Sequence, residues 1–203
     1  MDLTQCPLRL LSINSGGCLR LVVGSKIETY YSTMSFDVRP TVLDDCEVIA
    51  RDIRQADLKE CVMNETTPLE ALLDGYAHSF PCYTIVDLQT DTPVAMFGVV
   101  DPKVDMSQET LEMLGIDEDT GVCWMLGTDG LAKYPTQVVR HGPHWLDQIH
   151  HESKFKKLMN FVHEENILHL KWLEWCGFEV GPRAFDSGSQ EYIKQVERTL
   201  HTN

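Results

Sequence analysis

Residues 166–178 read Asn-Ile-Leu-His-Leu-Lys-Trp-Leu-Glu-Trp-Cys-Gly-Phe, and this stretch decides the architecture. Asn166 is a residue that caps helix starts, and Gly177 one that closes them. Between them Leu170, Trp172 and Leu173 recur at helical spacing, so the segment presents one apolar stripe to a packing partner. The preceding run Leu158-Met159-Asn160-Phe161-Val162 reads as a buried strand, and Phe178-Glu179-Val180 as another. The unit is therefore strand, Asn, helix, Gly-Phe, strand.

Working outward, Val122-Cys123-Trp124-Met125-Leu126 is a central strand, followed by a loop holding Gly127 and Gly130. A helical region runs from there to about Ser153, and Gly142-Pro143 is expected to break it. Upstream, Tyr83–Leu88 and Val94–Val100 form a hairpin around Gln89-Thr90-Asp91-Thr92, with Pro93 at a strand start. Cys46–Ile53, Leu58–Met63 and Leu69–His78 are helical, the last opened by Pro68 at its first position. Thr41 and Asp44 are the expected caps of the first helix, which follows the strand Phe36-Asp37-Val38-Arg39. Tyr192-Ile193 adds a final strand. The order β-α-α-β-β-β-α-β-α-β predicts an α/β fold with a mixed sheet.

Residues 1–33 stand apart. They are rich in Ser, Gly and isolated leucines and show no sustained period, whereas Met34 opens the compact pattern. The expectation is a leader or disordered extension over 1–33 and a domain over 34–203, with Met34 as the true start. Residues 101–121 carry Asp101, Asp105, Glu109, Glu112, Asp117, Glu118 and Asp119, and are expected to be a solvated acidic excursion.

The 203 residues can bury a substantial core, about 70% of the extended-chain surface. A formal net charge of -14 repels phosphates, so direct nucleic-acid binding is not expected. No apolar run approaches the length of a membrane span, and Arg9, Asn14 and Arg20 interrupt any signal-like segment. Seven cysteines without a C-x-x-C pair suggest a reducing compartment, a cytoplasm of the organism itself or of a host. The eight histidines are expected at the surface, and no metal site is predicted.

The strand-Asn-helix-Gly-Phe unit resembles the C-terminal half of the GNAT N-acyltransferase fold, and the resemblance covers Met34 to about Val196. It implies a GNAT-like mixed, mostly antiparallel central sheet flanked by helices. It also implies acetyl-CoA as cofactor if the protein is active. Leu126 and its strand would pair backbone with pantetheine, and Gln137 to Gly142 would hold the pyrophosphate. Asn166 would lie near the cofactor, although capping alone accounts for it, at about 1 kcal/mol. Two departures stand out. Arg140 occupies the middle position where the family's pyrophosphate turn has Gly. Leu173 falls where a Tyr commonly protonates the leaving thiolate, and leucine cannot donate a proton. Tyr134 is the nearest substitute, while Glu109, Glu112 and Asp129 are possible bases, so the catalytic residues are unassigned.

Cys123-Trp124, the Thr128-Asp129 pair, Asn166 through Leu173 with Gly177, and Arg39-Pro40-Thr41 together resemble the small internal virion protein of short-tailed podophages. That resemblance implies a virion-assembly role among other virion proteins, in the virion or host cytoplasm, with weak or lost acyl transfer. An active acetyl-CoA-dependent N-acetyltransferase is the alternative.

Overall fold

The computed structural model describes the backbone of residues 8–13, 18–23, 26–31, 35–104, 106–186 and 191–199, and side chains within 35–104, 106–181 and 194–199. The chain divides into two units, Met1–Ser35 and Phe36–Asn203. In the first, β1 (Leu8–Ile13), β2 (Cys18–Val23) and β3 (Lys26–Tyr31) form an antiparallel meander in that order. The sequence of that segment gave no period from which to expect strands.

The second unit starts with β4 (Phe36–Pro40) and three helices, α1 (Leu43–Arg51), α2 (Gln55–Met63) and α3 (Pro68–His78). Neither expected cap serves α1. Asp45, within its first turn, takes the Val42 N–H at 3.0 Å, while Thr41 is buried and hydrogen-bonded to Thr84. Burial pushes the Asp45 carboxyl up, but two 2.7 Å bonds from Arg39, with those from the Val42 N–H and the Thr84 hydroxyl, together hold it below the usual range. The α3 start matches expectation and adds a capping box, in which Thr67 and Glu70 serve each other's N–H groups.

Next come the antiparallel pair β5 (Ser79–Asp87) and β6 (Thr92–Val100), then α4 (Gln108–Leu114) and β7 (Thr120–Gly127). The acidic segment is not simply solvated. Leu111 and Ile116 are buried against Met159, and Gly115 ends α4 in the left-handed region with φ +68°. At its surface Asp117 and Asp119 pair with Lys157 and Lys156 at 2.5 and 2.6 Å.

The remaining elements are α5 (Pro135–Ser153), β8 (Lys157–His163), α6 (Ile167–Trp175), β9 (Glu179–Asp186) and β10 (Glu191–Thr199). The seven-stranded sheet has the order β4-β5-β6-β7-β8-β10-β9. Only β7 and β8 run parallel; every other pair is antiparallel. The mixed, mostly antiparallel sheet flanked by helices is the one expected. Alternation along β6 sorts the layers. Ala95, Phe97 and Val99 join Trp145, Leu146 and Ile149 of α5 and Leu170 and Leu173 of α6 in one core. Met96 joins Cys46, Ile49 and Leu72 of α1 and α3 in another.

α6 forms as its sequence dictates. The Asn166 Oδ1 accepts the His169 N–H at 3.3 Å, and Gly177 turns the chain with φ +88°. The Phe178 N–H then returns to the Leu173 carbonyl at 3.0 Å, a closure that needs the left-handed glycine.

α5 departs from expectation, because it continues through Gly142-Pro143 as one helix of 19 residues. Proline has no N–H, so the Val139 carbonyl four residues earlier loses its helical donor. The Trp175 indole Nε1 of α6 donates to it instead, at 3.1 Å. Gly142 lets the second indole approach: a Cβ there would lie 2.8 Å from Trp172 Cζ2. The pair that was expected to break the helix is the seat on which α6 docks. Gly142→Ala is predicted to cost about 1–3 kcal/mol through overpacking. Trp175→Phe is predicted to cost about 1 kcal/mol through the lost donor. Urea unfolding of both variants measures these losses.

Candidate active site

The parallel pairing of β7 with β8 covers Thr120↔Lys157, Gly121↔Leu158 and Val122↔Met159, and then stops. Both strands continue, to Gly127 and His163, so they diverge and leave a wedge. On the β8 side, the Phe161 N–H that would cross to β7 is taken by the neighbouring Asn160 Oδ1, at 2.7 Å.

On the β7 side, the Gly127 N–H donates to Asp57 Oδ2 at 2.7 Å, and its carbonyl accepts the Arg54 N–H at 2.9 Å. Its polar groups therefore point away from β6. Strand alternation turns those of Met125 the same way, into the wedge, and those of Leu126 towards its β6 partner Met96. The start of α2 thus clasps the end of β7, and Met125 carries the open backbone edge.

Charged groups gather at this mouth. Asp57 is 2% exposed, with Arg54 Nε 2.8 Å from its Oδ1. Burial pushes its carboxyl up, and Arg54 opposes that. One turn along α2, Glu60 is pushed up to about 6, first by burial and then by the charge of Asp57; Arg54 and His163 pull the other way. His169, in the first turn of α6, is pushed down to about 4 by burial and by Arg54. Arg54 and Asp57 thus hold the end of β7, and Glu60, His163 and His169 lie near enough for charge to pass between this group and them. A carboxylate near 6 is suited to accept a proton at neutral pH. Sequence reasoning missed Glu60, although the i, i+3, i+6 spacing of Arg54, Asp57 and Glu60 marks one helix face.

The residues singled out from the sequence are scattered around this wedge. Leu126 sits on β7 with its side chain packed against the Cys46, Ile49, Leu72 and Met96 cluster, and its neighbour Met125 turns its backbone away from β6. Gln137 lies in the first turn of α5. Gly142 is buried well inside α5 against Trp172, and the run from Gln137 to Gly142 is helix rather than turn. Asn166 caps α6. Leu173 is 2% exposed and belongs to the core. The Tyr134 ring is held edge-on against Phe36, with centroids 4.9 Å apart. Glu109 and Glu112 are exposed on α4, and Asp129 is exposed beyond the end of β7.

The histidines are not all superficial. His150 is fully buried, with Arg198 Nη1 3.2 Å from its Nδ1, and burial and Arg198 push it down to about 4. Among the described residues no three His, Cys, Asp or Glu side chains converge to hold a metal ion.

No protein-family model matches the chain, and no curated protein matches it. Solved structures do. The chain is similar to Ard1 from Thermoplasma volcanium, with a TM-score of 0.59 at 13% identity over 83% of this chain and 100% of that one. It is similar to AAC(6')-Ib, solved in complex with ribostamycin and coenzyme A, with a TM-score of 0.59 at 11% identity over 81% and 93%. A spermidine N-acetyltransferase SpeG chimera from Vibrio cholerae and hSSAT gives 0.56 at 13% identity over 81% and 95%. The second unit therefore has the GNAT acetyltransferase fold.

Coenzyme A fits these residues only in part. The Met125 edge suits an extended amide. The start of α5 does not suit a pyrophosphate, which needs free N–H groups at a helix N-terminus. Pro135 has none, and that of Gln137 is spent on the Tyr134 carbonyl at 3.0 Å, which leaves only that of Thr136 in the first three positions. No glycine in that turn lets backbone approach an anion closely.

Asp57→Ala orphans the buried Gly127 N–H and is predicted to cost about 1–3 kcal/mol in urea unfolding. The pH dependence follows from the histidines. His150 and His169 fall from 6.5 to about 4 on folding, so between these values the unfolded chain binds more protons. Glu60, raised from 4.5 to about 6, opposes them with a smaller shift. The unfolding midpoint is predicted to drop as pH falls from about 6.5 towards 4, and His169→Gln is predicted to flatten that slope.

Proposed function

We propose that the domain over 34–203 is a phage internal virion or virion-assembly protein, in which the GNAT fold is a binding scaffold and acyl transfer is weak or lost. The observation that carries the loss of acyl transfer is the start of α5, where Pro135 lacks an N–H and the Tyr134 carbonyl takes that of Gln137, so the anion seat is depleted. Leu173 in the core, where the resemblance puts a proton-donating Tyr, supports it. So do the short matches with the podophage protein at Cys123-Trp124, Thr128-Asp129 and Asn166–Leu173. Its partners are other virion proteins and its place is the virion or the host cytoplasm, with residues 1–33 a leader upstream of Met34. Among the described residues no helix is long and apolar enough to cross a membrane.

One observation favours a second reading, an active acetyl-CoA-dependent N-acetyltransferase. Glu60, pushed up to about 6, lies one turn along α2 from Asp57, which holds the end of β7. There it would take the proton of an acceptor amine.

Acetyl-CoA separates the two. A ligand at 100 times its Kd stabilises a fold by about 2.7 kcal/mol, which raises Tm by several degrees. The assembly reading predicts no shift at millimolar acetyl-CoA and detection of the protein in purified particles by mass spectrometry. The enzyme reading predicts a clear shift and turnover that Glu60→Gln abolishes with little change in KM.

A further inference from the structure

The inner face of α3 is committed to the core through Leu72 and Gly75, where a Cβ on Gly75 would lie 2.4 Å from the Trp124 indole. The outer face is different. Leu69, Leu73 and Tyr76 stand at i, i+4 and i+7 and are 38%, 37% and 37% exposed. They form a stripe about 10 Å long on one helix face. Val62 and Met63 at the end of α2 are exposed as well. Beside the stripe runs a surface groove of about 920 Å³ lined by Asn64, Thr66, Glu70, Ala71, Leu73 and Asp74.

The charge around this groove has one sign. Residues 64–78 hold Glu65, Glu70 and Asp74 and no lysine or arginine. Among the described residues none of Glu65, Glu70 and Asp74 is paired with Lys or Arg. Glu70 is engaged by Thr67, and Asp74 meets His78 at 3.0 Å. An apolar stripe bordered by carboxylates without strong cationic partners selects an occupant that supplies both complements.

We propose that the α2–α3 face docks an amphipathic helix of a partner protein, apolar on one side and flanked by lysine or arginine. The stripe gives the ridge on which such a helix packs, and the carboxylates set its orientation and speed its approach. A second copy of this chain is a poor occupant, because it would bring the same acidic border and a net charge of -14 against its own kind. The stripe and groove use the end of α2, α3 and the turn between them, and none of the residues that hold the end of β7, so the proposal does not depend on whether acyl transfer survives.

The test uses two labelled peptides of about 18 residues, five helical turns, one of Leu and Lys and one of Leu and Glu at the same helical spacing. Fluorescence anisotropy against the full chain is expected to show binding of the Leu/Lys peptide only. Leu73→Ser and the pair Glu65→Lys with Asp74→Lys are each expected to weaken it about tenfold, with circular dichroism confirming that both variants fold. Glu109→Lys with Glu112→Lys, on the acidic α4, is expected to leave affinity unchanged. Absence of binding, equal binding of both peptides, or equal weakening by the α4 pair overturns the proposal. So does a dimer in sedimentation that Leu73→Ser dissolves, since the face would then belong to a second copy.

Discussion

The divergence of β7 from β8 after Val122↔Met159 is the constraint on which the rest of the structure depends. Two parallel strands that part must leave backbone polar groups with nothing to bond, and buried ones cannot stay so. The chain resolves this one group at a time. Asn160 folds its own amide oxygen onto the Phe161 N–H, and Asp57 and Arg54 take both polar groups of Gly127. The Met125 edge stays turned into the wedge, and whatever that wedge can bind is limited to its short length.

The same demand for satisfied donors and acceptors organises the helix layer. Pro143 removes one N–H from α5, and the Trp175 indole replaces it from α6. Gly142 removes a side chain, and Trp172 fills the space. α6 is thereby fixed on α5 at one point, while Leu170 and Leu173 fix it on the sheet. That packing gives Leu173 a structural role, buried in the core that α5, α6 and the sheet share.

Where periodicity and caps act locally, the sequence was readable. α6 with Asn166 and Gly177, the β5–β6 hairpin, and the Pro68 start of α3 all follow from residues within a few positions of one another. Where a distant group decides, it was not. The continuity of α5 depends on an indole 36 residues away, and the anchoring of the acidic segment depends on Met159. Which residues of the Val122–Leu126 strand turn their backbone outward was not legible either, because parity along β7 is set by pairing with β6 and by the α2 clasp. His150 reads as a surface residue until Arg198 and the α5 core are known to surround it. Glu60 is the instructive miss. Its spacing from Arg54 and Asp57 was visible, but only the ends of β7 and β8 make that helix face a site.

The most direct measurement is amide hydrogen exchange at Gly127 and Met125 by NMR, with and without coenzyme A. If α2 closes the strand end and α5 offers no anion seat, the Gly127 amide exchanges slowly, Met125 exchanges fast, and coenzyme A changes neither. Strong protection of Met125 together with the first-turn amides of α5 on adding coenzyme A would contradict the account.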